Sequence, residues 1–302
     1  MKTSDTLFSD DFPIVTSEIE LEIVKREFHR YEYDSCYVTV GCKKSKSKLD
    51  ILWEKFKPYA DTHFLSEIKK HFHQRTWEMY VACIFLKKGF QIESSDNRPD
   101  IKIVLGNQII WIECVACDVG IGKDAVPPLK YDSSLLQDYP EKQLLLRMTN
   151  SLDAKLKKYK EYLEKKIVGK EDIFIIAINR AGIDHCDPGI PLIFKAVFGI
   201  EHLNIPIHPL NGAKSEKGSF WSIRDDIVKQ NDENISVKFF EKQEHSGISA
   251  IIYSNTNILN HPNNIGSECI LTHNPIAKNI LDDKIFPFFD QYKIAADKII
   301  KL

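Results

Sequence analysis

Arg98-Pro99-Asp100-Ile101-Lys102-Ile103-Val104-Leu105-Gly106-Asn107-Gln108-Ile109-Ile110-Trp111-Ile112-Glu113-Cys114-Val115-Ala116-Cys117 is the stretch that decides the fold. Two β-rich runs flank Gly106-Asn107, and glycine at the first central position suits a two-residue type II′ turn. That loop length sets the register: Leu105 faces Gln108, and Asp100 faces Glu113. Directly opposed side chains share a sheet face at about 4.5–5.5 Å between Cβ atoms. Two carboxylates so placed repel each other unless a cation or a proton lies between them.

Strong helical and strand signals surround this hairpin. Before it, Arg75 to Lys88 reads as a helix stopped by Gly89, and Phe90 to Ile92 as a short strand. After it, Val119 to Pro140 is a long Gly- and Pro-containing loop, and Gln143 to Lys166 is a helix. Ile173 to Ile178 and Ile248 to Tyr253 read as buried strands, with a last short strand at Cys269 to Thr272 and a C-terminal helix at Tyr292 to Lys301. This order predicts an α/β fold, a mixed central sheet flanked by helices. Residues 1–70 read as a helical N-terminal extension, with helices at 17–31, 49–56 and 65–72 and a solvated lysine-rich loop at 43–48. Residues 71–302 then form the α/β core, and 179–235, rich in Pro, Gly and Asn, form an irregular insertion.

Composition narrows the class. At 43% hydrophobic and 28% charged, the chain has enough apolar matter for a core and the charge of an ordinary soluble protein. A net charge of −2 gives no global case for nucleic acid and leaves room for a local basic patch. Seven scattered cysteines form no regular framework and fit reduced thiols in a cytoplasmic protein. The polar N-terminus lacks the apolar segment of a secretory signal, and no apolar run reaches the roughly 18 residues of a membrane span.

Glu78 adds a third carboxylate to the hairpin pair. It lies in the row Glu78, Val81, Ala82, Phe85 of a helix that is apolar nearly all round. A carboxylate there must be paired, protonated or bound to metal. Two readings are open: local pairing with Arg75, or a joint site with Asp100 and Glu113. In the second, Asp100, Glu113, Glu78 and the backbone carbonyl of Cys114 offer oxygen ligands to a hard cation, Mg²⁺ or Mn²⁺.

Glu78 on the first core helix, Pro99-Asp100 and Glu113-Cys114-Val115, with the order helix, three strands, helix, strand over about 75–178, resemble the PD-(D/E)XK nuclease, or restriction-endonuclease-like, superfamily. The resemblance covers a third of the chain. It implies a metal-dependent nuclease that hydrolyses phosphodiester bonds in nucleic acid, DNA ahead of RNA, with Glu78, Asp100 and Glu113 catalytic. One position departs from the family: the lysine expected two residues after the glutamate is Val115, on the same sheet face as Glu113. Members of the superfamily can draw this lysine from the next helix, which here carries Arg147, Ser151 and Lys155 in steps of four. Arg147 and Lys155 are about 80° apart on that helix. Lys155 is the expected replacement, with Arg147 and Ser151 as substrate contacts, and Lys102, on the Asp100 face, as its rival. Residues 151–170 carry seven lysines against three acids, a pattern equally compatible with a wetted helix face. If no lysine reaches the acids, the chain is a nuclease-fold binding or assembly module without catalysis. The N-terminal region and the 179–235 insertion are candidates for substrate access or a homo-oligomer interface.

Other motifs carry less. Cys114 and Cys117 have CxxC spacing, but three residues apart on a strand they face opposite ways. His185-Cys186-Asp187 and the set His261, Cys269, His273 match no metal-binding pattern. Gly120-Ile121-Gly122-Lys123-Asp124 lacks the spacing of a phosphate loop and reads as a rim loop beside the acids.

Overall fold

A computed structural model describes residues 7, 43–94, 97–129, 138–183, 185, 187, 189–205, 220–257, 260–295 and 298–302. Helices α1 (Lys43–Phe56), α2 (Phe64–Glu67) and α3 (Phe72–Lys87) precede strands β1 (Ile92–Glu93), β2 (Ile101–Leu105) and β3 (Gln108–Ala116). Helix α4 (Glu141–Glu164) leads into β4 (Ile173–Asn179) and α5 (Leu192–Phe198). Two small hairpins follow, β5 (Ile200–Asn204) with β6 (Phe220–Ile223) and β7 (Asp226–Val228) with β8 (Asn234–Ser236). The chain then returns through β9 (Ala250–Ser254), β10 (Ile270–His273), β11 (Asp290–Ala295) and β12 (Lys298–Lys301).

One eight-stranded mixed sheet, in the order β1-β2-β3-β4-β9-β10-β11-β12, organises the molecule. The strands β1, β2 and β3 form an antiparallel meander, and α4 crosses over to place β4 parallel to β3. Alternation along each strand divides the core between the two faces. Ile110, Ile112 and Cys114 of β3, with Ile173, Ile175 and Ala177 of β4, pack on the side of α1 and α3. Trp111 of β3, with Phe174, Ile176 and Ile178 of β4, packs on the side of α4 and α5. Strand β4 is buried at all seven positions, as its unbroken apolar run requires.

The hairpin has the expected register, with Leu105 opposite Gln108 and Ile101 opposite Ile112. Gly106 adopts φ +59° while Asn107 stays out of the left-handed region, the pattern of a type II′ turn. Gly89 ends α3 at φ +85°. The ladder of β2 stops at Ile101, one residue short of Asp100. Strand β3 runs on to Ala116 against β4, so its last four residues overhang on the β2 side.

Four expectations are corrected. The segment at Tyr292 to Lys301 forms the antiparallel pair β11–β12 and not a helix. Ile294 pairs with Ile299 across the two strands, and Tyr292, Ile294 and Ile299 pack on the α4 side of the core. Residues 43–48 begin α1 and are not a loop, because lysine is a good helix former and the stripe Leu49, Leu52, Trp53, Phe56 continues from them. The 65–72 helix is broken: α2 is a single turn, and Phe72 opens α3. The 179–235 segment holds a buried helix, α5, framed by Pro191 and by Gly199 at φ +68°. The helix expected at 17–31 lies outside the described residues. Leu49, Leu52, Trp53, Phe56, Phe64 and Ile68 share one hydrophobic cluster with α3 and the sheet.

A candidate carboxylate–lysine site

The site lies where β2 ends and β3 overhangs. Odd-numbered residues of β3 face α4, which puts Glu113 beneath that helix with no exposed surface. Helix α4 runs antiparallel to β3, and three contacts follow its length. Arg147 donates to Asp118, through Nε to the backbone oxygen at 3.0 Å and through Nη2 to Oδ1. Ser151 receives the Cys117 thiol at 3.5 Å. Lys155 reaches Glu113, its Nζ 2.8 Å from Oε1.

Glu113 has more partners than expected. Lys158 Nζ lies 2.7 Å from the same oxygen, and the Tyr162 hydroxyl donates to Oε2 at 3.2 Å. The three donors recur at Lys155, Lys158 and Tyr162, the i, i+3, i+7 face of one helix. The Lys158 ammonium also lies over the Tyr162 ring, 5.6 Å from its centroid. Burial depresses the Lys158 ammonium, and the charge and hydrogen bond of Glu113 together with the charges of Asp100 and Glu78 more than reverse this. Burial next to Glu113 raises the Tyr162 phenol, so it stays protonated as a donor.

Asp100 approaches from the paired chain. Beyond the last rung of the ladder its carboxylate turns inward, and Oδ2 accepts the Cys114 N–H at 2.6 Å. Gln74 of α3 closes the rest of the overhang: its Nε2 donates to the Cys114 carbonyl at 3.1 Å and its Oε1 accepts the Ala116 N–H at 2.8 Å. Side chains here take the place of the missing β2 backbone. Burial, then the charges of Glu113 and Glu78, push the Asp100 carboxyl well above its ordinary range, while Lys155 and the Cys114 N–H pull it down.

Glu78 comes from the opposite side of the sheet. It is buried and accepts from Arg75 Nη1 at 2.9 Å, the local pairing that was one of its two readings. The same guanidinium holds Asp61 at 2.8 Å and also Glu67. Burial raises the Glu78 carboxyl, Arg75 opposes that, and Asp61 and Glu113 add to it.

Among the expected site residues, Lys155 and Glu113 therefore meet, and Asp100 and Glu78 lie in electrostatic range of Glu113. Arg147 and Ser151 are on the right helix but serve Asp118 and Cys117. Lys102 donates to Glu93 at 3.0 Å and lies over Trp111, away from the acids. Val115 packs into the α4-side core, on the face of Glu113 as its spacing requires. Sequence reasoning missed Lys158, Tyr162 and Gln74. The signal for the first two was present in their spacing of three and seven residues from Lys155.

As metal ligands the expected set divides. Glu78 is bound by Arg75 and the Cys114 carbonyl by Gln74, and among the described residues no three His, Cys, Asp or Glu groups are gathered as a ready metal cluster. Glu113 is held in turn by Lys155, Lys158 and Tyr162, and Asp100 by the Cys114 N–H. Two carboxylates suit a Mg²⁺ ion that keeps several waters, and the Asp100 carboxyl is raised first by its burial and then by Glu113 and Glu78, against Lys155. The other candidate clusters dissolve into structural contacts. Cys114 and Cys117 lie in cores on opposite faces of the sheet. His185 bonds Pro127, and Asp187 takes Arg180, Tyr139 and Tyr253, while Cys186 lies outside the described residues. His261, Cys269 and His273 contact Pro262, Glu268 and Gln291 respectively. In the rim loop, Gly120 and Gly122 adopt φ +77° and +76°, and Gly120 packs on Arg147.

Among the described residues no helix is long and apolar enough to cross a membrane. Comparison with protein-family models, with curated proteins and with solved structures finds no match.

Proposed function

We propose that this protein is a divergent metal-dependent nuclease of the PD-(D/E)XK type, which hydrolyses phosphodiester bonds in nucleic acid, with DNA favoured over RNA by the resemblance alone. The observation that carries this reading is the Lys155–Glu113 contact, 2.8 Å from ammonium to carboxylate, one residue from the N–H that anchors Asp100. On this reading Asp100, Glu113 and Lys155 stand for the superfamily's acid, acid and lysine, the lysine coming from α4 because Val115 occupies its position in sequence. The meander, crossover helix and parallel fourth strand agree with the same core.

In this reading Asp100 and Glu113 hold Mg²⁺ or Mn²⁺, which when bound polarises the phosphoryl oxygen and lowers the pKa of the attacking water. Lys155 offers its ammonium to the negative charge that develops on phosphorus oxygens. Glu78, fixed by Arg75, adds negative potential that favours a cation at Asp100. The test is incubation with plasmid, single-stranded DNA and RNA under Mg²⁺ or Mn²⁺, beside Asp100→Asn and Glu113→Gln. Metal-dependent cleavage lost in both variants is expected. Cleavage that survives both rules this site out.

A second reading draws on the three donors that tie Glu113 down: a nuclease-fold protein that has ceased to cleave and serves as a binding or assembly module. It predicts nucleic-acid or protein binding that is indifferent to Mg²⁺ and no cleavage by the unaltered chain.

A further inference from the structure

Glu113 carries one negative charge and meets two ammonium groups, both on Oε1. One would neutralise it. The two lysines are not equivalent. The Lys155 side chain is 15% exposed and Lys158 43%, so Lys155 is enclosed against the sheet and Lys158 stands at the solvent rim. If Lys158 let go, Glu113 would keep Lys155 on Oε1 and the Tyr162 hydroxyl on Oε2. The buried carboxylate would not be orphaned, which is the event that makes breaking a buried pair expensive. Lys158 is thus the second and more exposed cation on one carboxylate oxygen, held also by the charges of Asp100 and Glu78, with a short path to solvent, on a helix whose next outward lysines, Lys157 and Lys160, are exposed.

We propose that Lys158 is the phosphate-binding residue of this site, exchanging the Glu113 carboxylate for a non-bridging oxygen of a nucleic-acid backbone. The inference rests on the nuclease reading for its substrate and extends it to a residue that the family resemblance does not supply. Lys155 keeps Glu113 and, on the nuclease reading, the charge that develops at phosphorus, so backbone binding and transition-state charge fall to different lysines.

The test is binding of a fluorescein-labelled oligonucleotide, single-stranded and as a duplex, to the full chain in EDTA over a range of salt concentrations. Lys158→Gln is expected to weaken binding about threefold at low salt and to reduce the slope of log K against log salt by about one. Lys158→Arg restores both, and Lys301→Gln, on the far edge strand, changes neither. Thermal melts confirm that each variant is folded. A wild type that binds while Lys158→Gln keeps the full slope overturns this inference and leaves the nuclease reading intact. A wild type that binds without cleaving, with the slope reduced in Lys158→Gln, upholds Lys158 and removes the nuclease reading. A wild type that neither binds nor cleaves removes both.

Discussion

Lys155 and Glu113, 42 positions apart in sequence, meet at 2.8 Å between a helix and the strand beneath it. The acid is fully buried, so its charge depends on these contacts. Lys155→Met leaves Lys158 and Tyr162 in place and is expected to lower stability by about 2 kcal/mol. Glu113→Gln strands two ammonium groups and should cost about 3 kcal/mol. In urea unfolding, the double variant should lose at least 1 kcal/mol less than the two single losses added together. Strict additivity would mean that the pair is not coupled.

Asp100 predicts a pH dependence with a definite sign. Its folded-state pKa is raised above the ordinary value of 3.8 by burial and by Glu113 and Glu78. From that value up to the raised one the folded protein binds more protons than the unfolded chain, so this group's contribution to stability falls as pH rises through the window and is flat above it. Asp100→Asn keeps an acceptor for the Cys114 N–H and removes the charge. It should be more stable than wild type by about 1 kcal/mol at neutral pH, with the difference vanishing towards pH 4. Mg²⁺ should raise the melting temperature of the wild type and not of this variant.

Arg75 is the hub of a second charged group. Removing it in Arg75→Leu leaves Glu78 buried and uncompensated, a loss expected at about 3–5 kcal/mol. Without Arg75 to oppose burial, the Glu78 carboxyl rises further, so the deficit should widen as pH increases above 4.5. Adding Glu78→Gln should recover a substantial part of it. Chemical denaturation at two pH values measures both effects.

Gln74 holds the free edge of β3 through one side chain. Gln74→Ala removes its bonds to Cys114 and Ala116 and should cost about 2 kcal/mol. Hydrogen exchange should locate the damage: the Ala116 amide loses protection, while the Cys114 amide, still bonded to Asp100, loses less.

What the sequence made legible was whatever a short period or a local turn controls. Gly106-Asn107 fixed the hairpin register, and the apolar run at Ile173 to Ile178 announced a strand buried on both faces. The same periodicity placed Glu113 and Val115 on one face, and four-residue steps brought Lys155 to the acid. Illegible was what depends on where a ladder stops. Nothing local says that β2 ends at Ile101, so the opposition of Asp100 to Glu113 became a bond from Asp100 to the Cys114 N–H. Nor does local pattern decide Tyr292 to Lys301, where helix-compatible residues were claimed by a sheet edge. Lys158 was hidden by its company, one of seven lysines within twenty residues and distinguished only by its contact with Glu113.

The overhang of β3 has a bearing on solution behaviour. Glu113 to Ala116 is a buried to half-buried, β-prone run with an unladdered edge, the kind of template that recruits a strand from another molecule and seeds aggregation. Asp100 and Gln74 occupy that edge with side chains, which cannot be extended by a further strand. The Asp100 carboxylate is therefore a gatekeeper against self-association. An Asp100→Ala protein that precipitates would report an unguarded edge, whereas Asp100→Asn, which keeps the acceptor, should stay in solution.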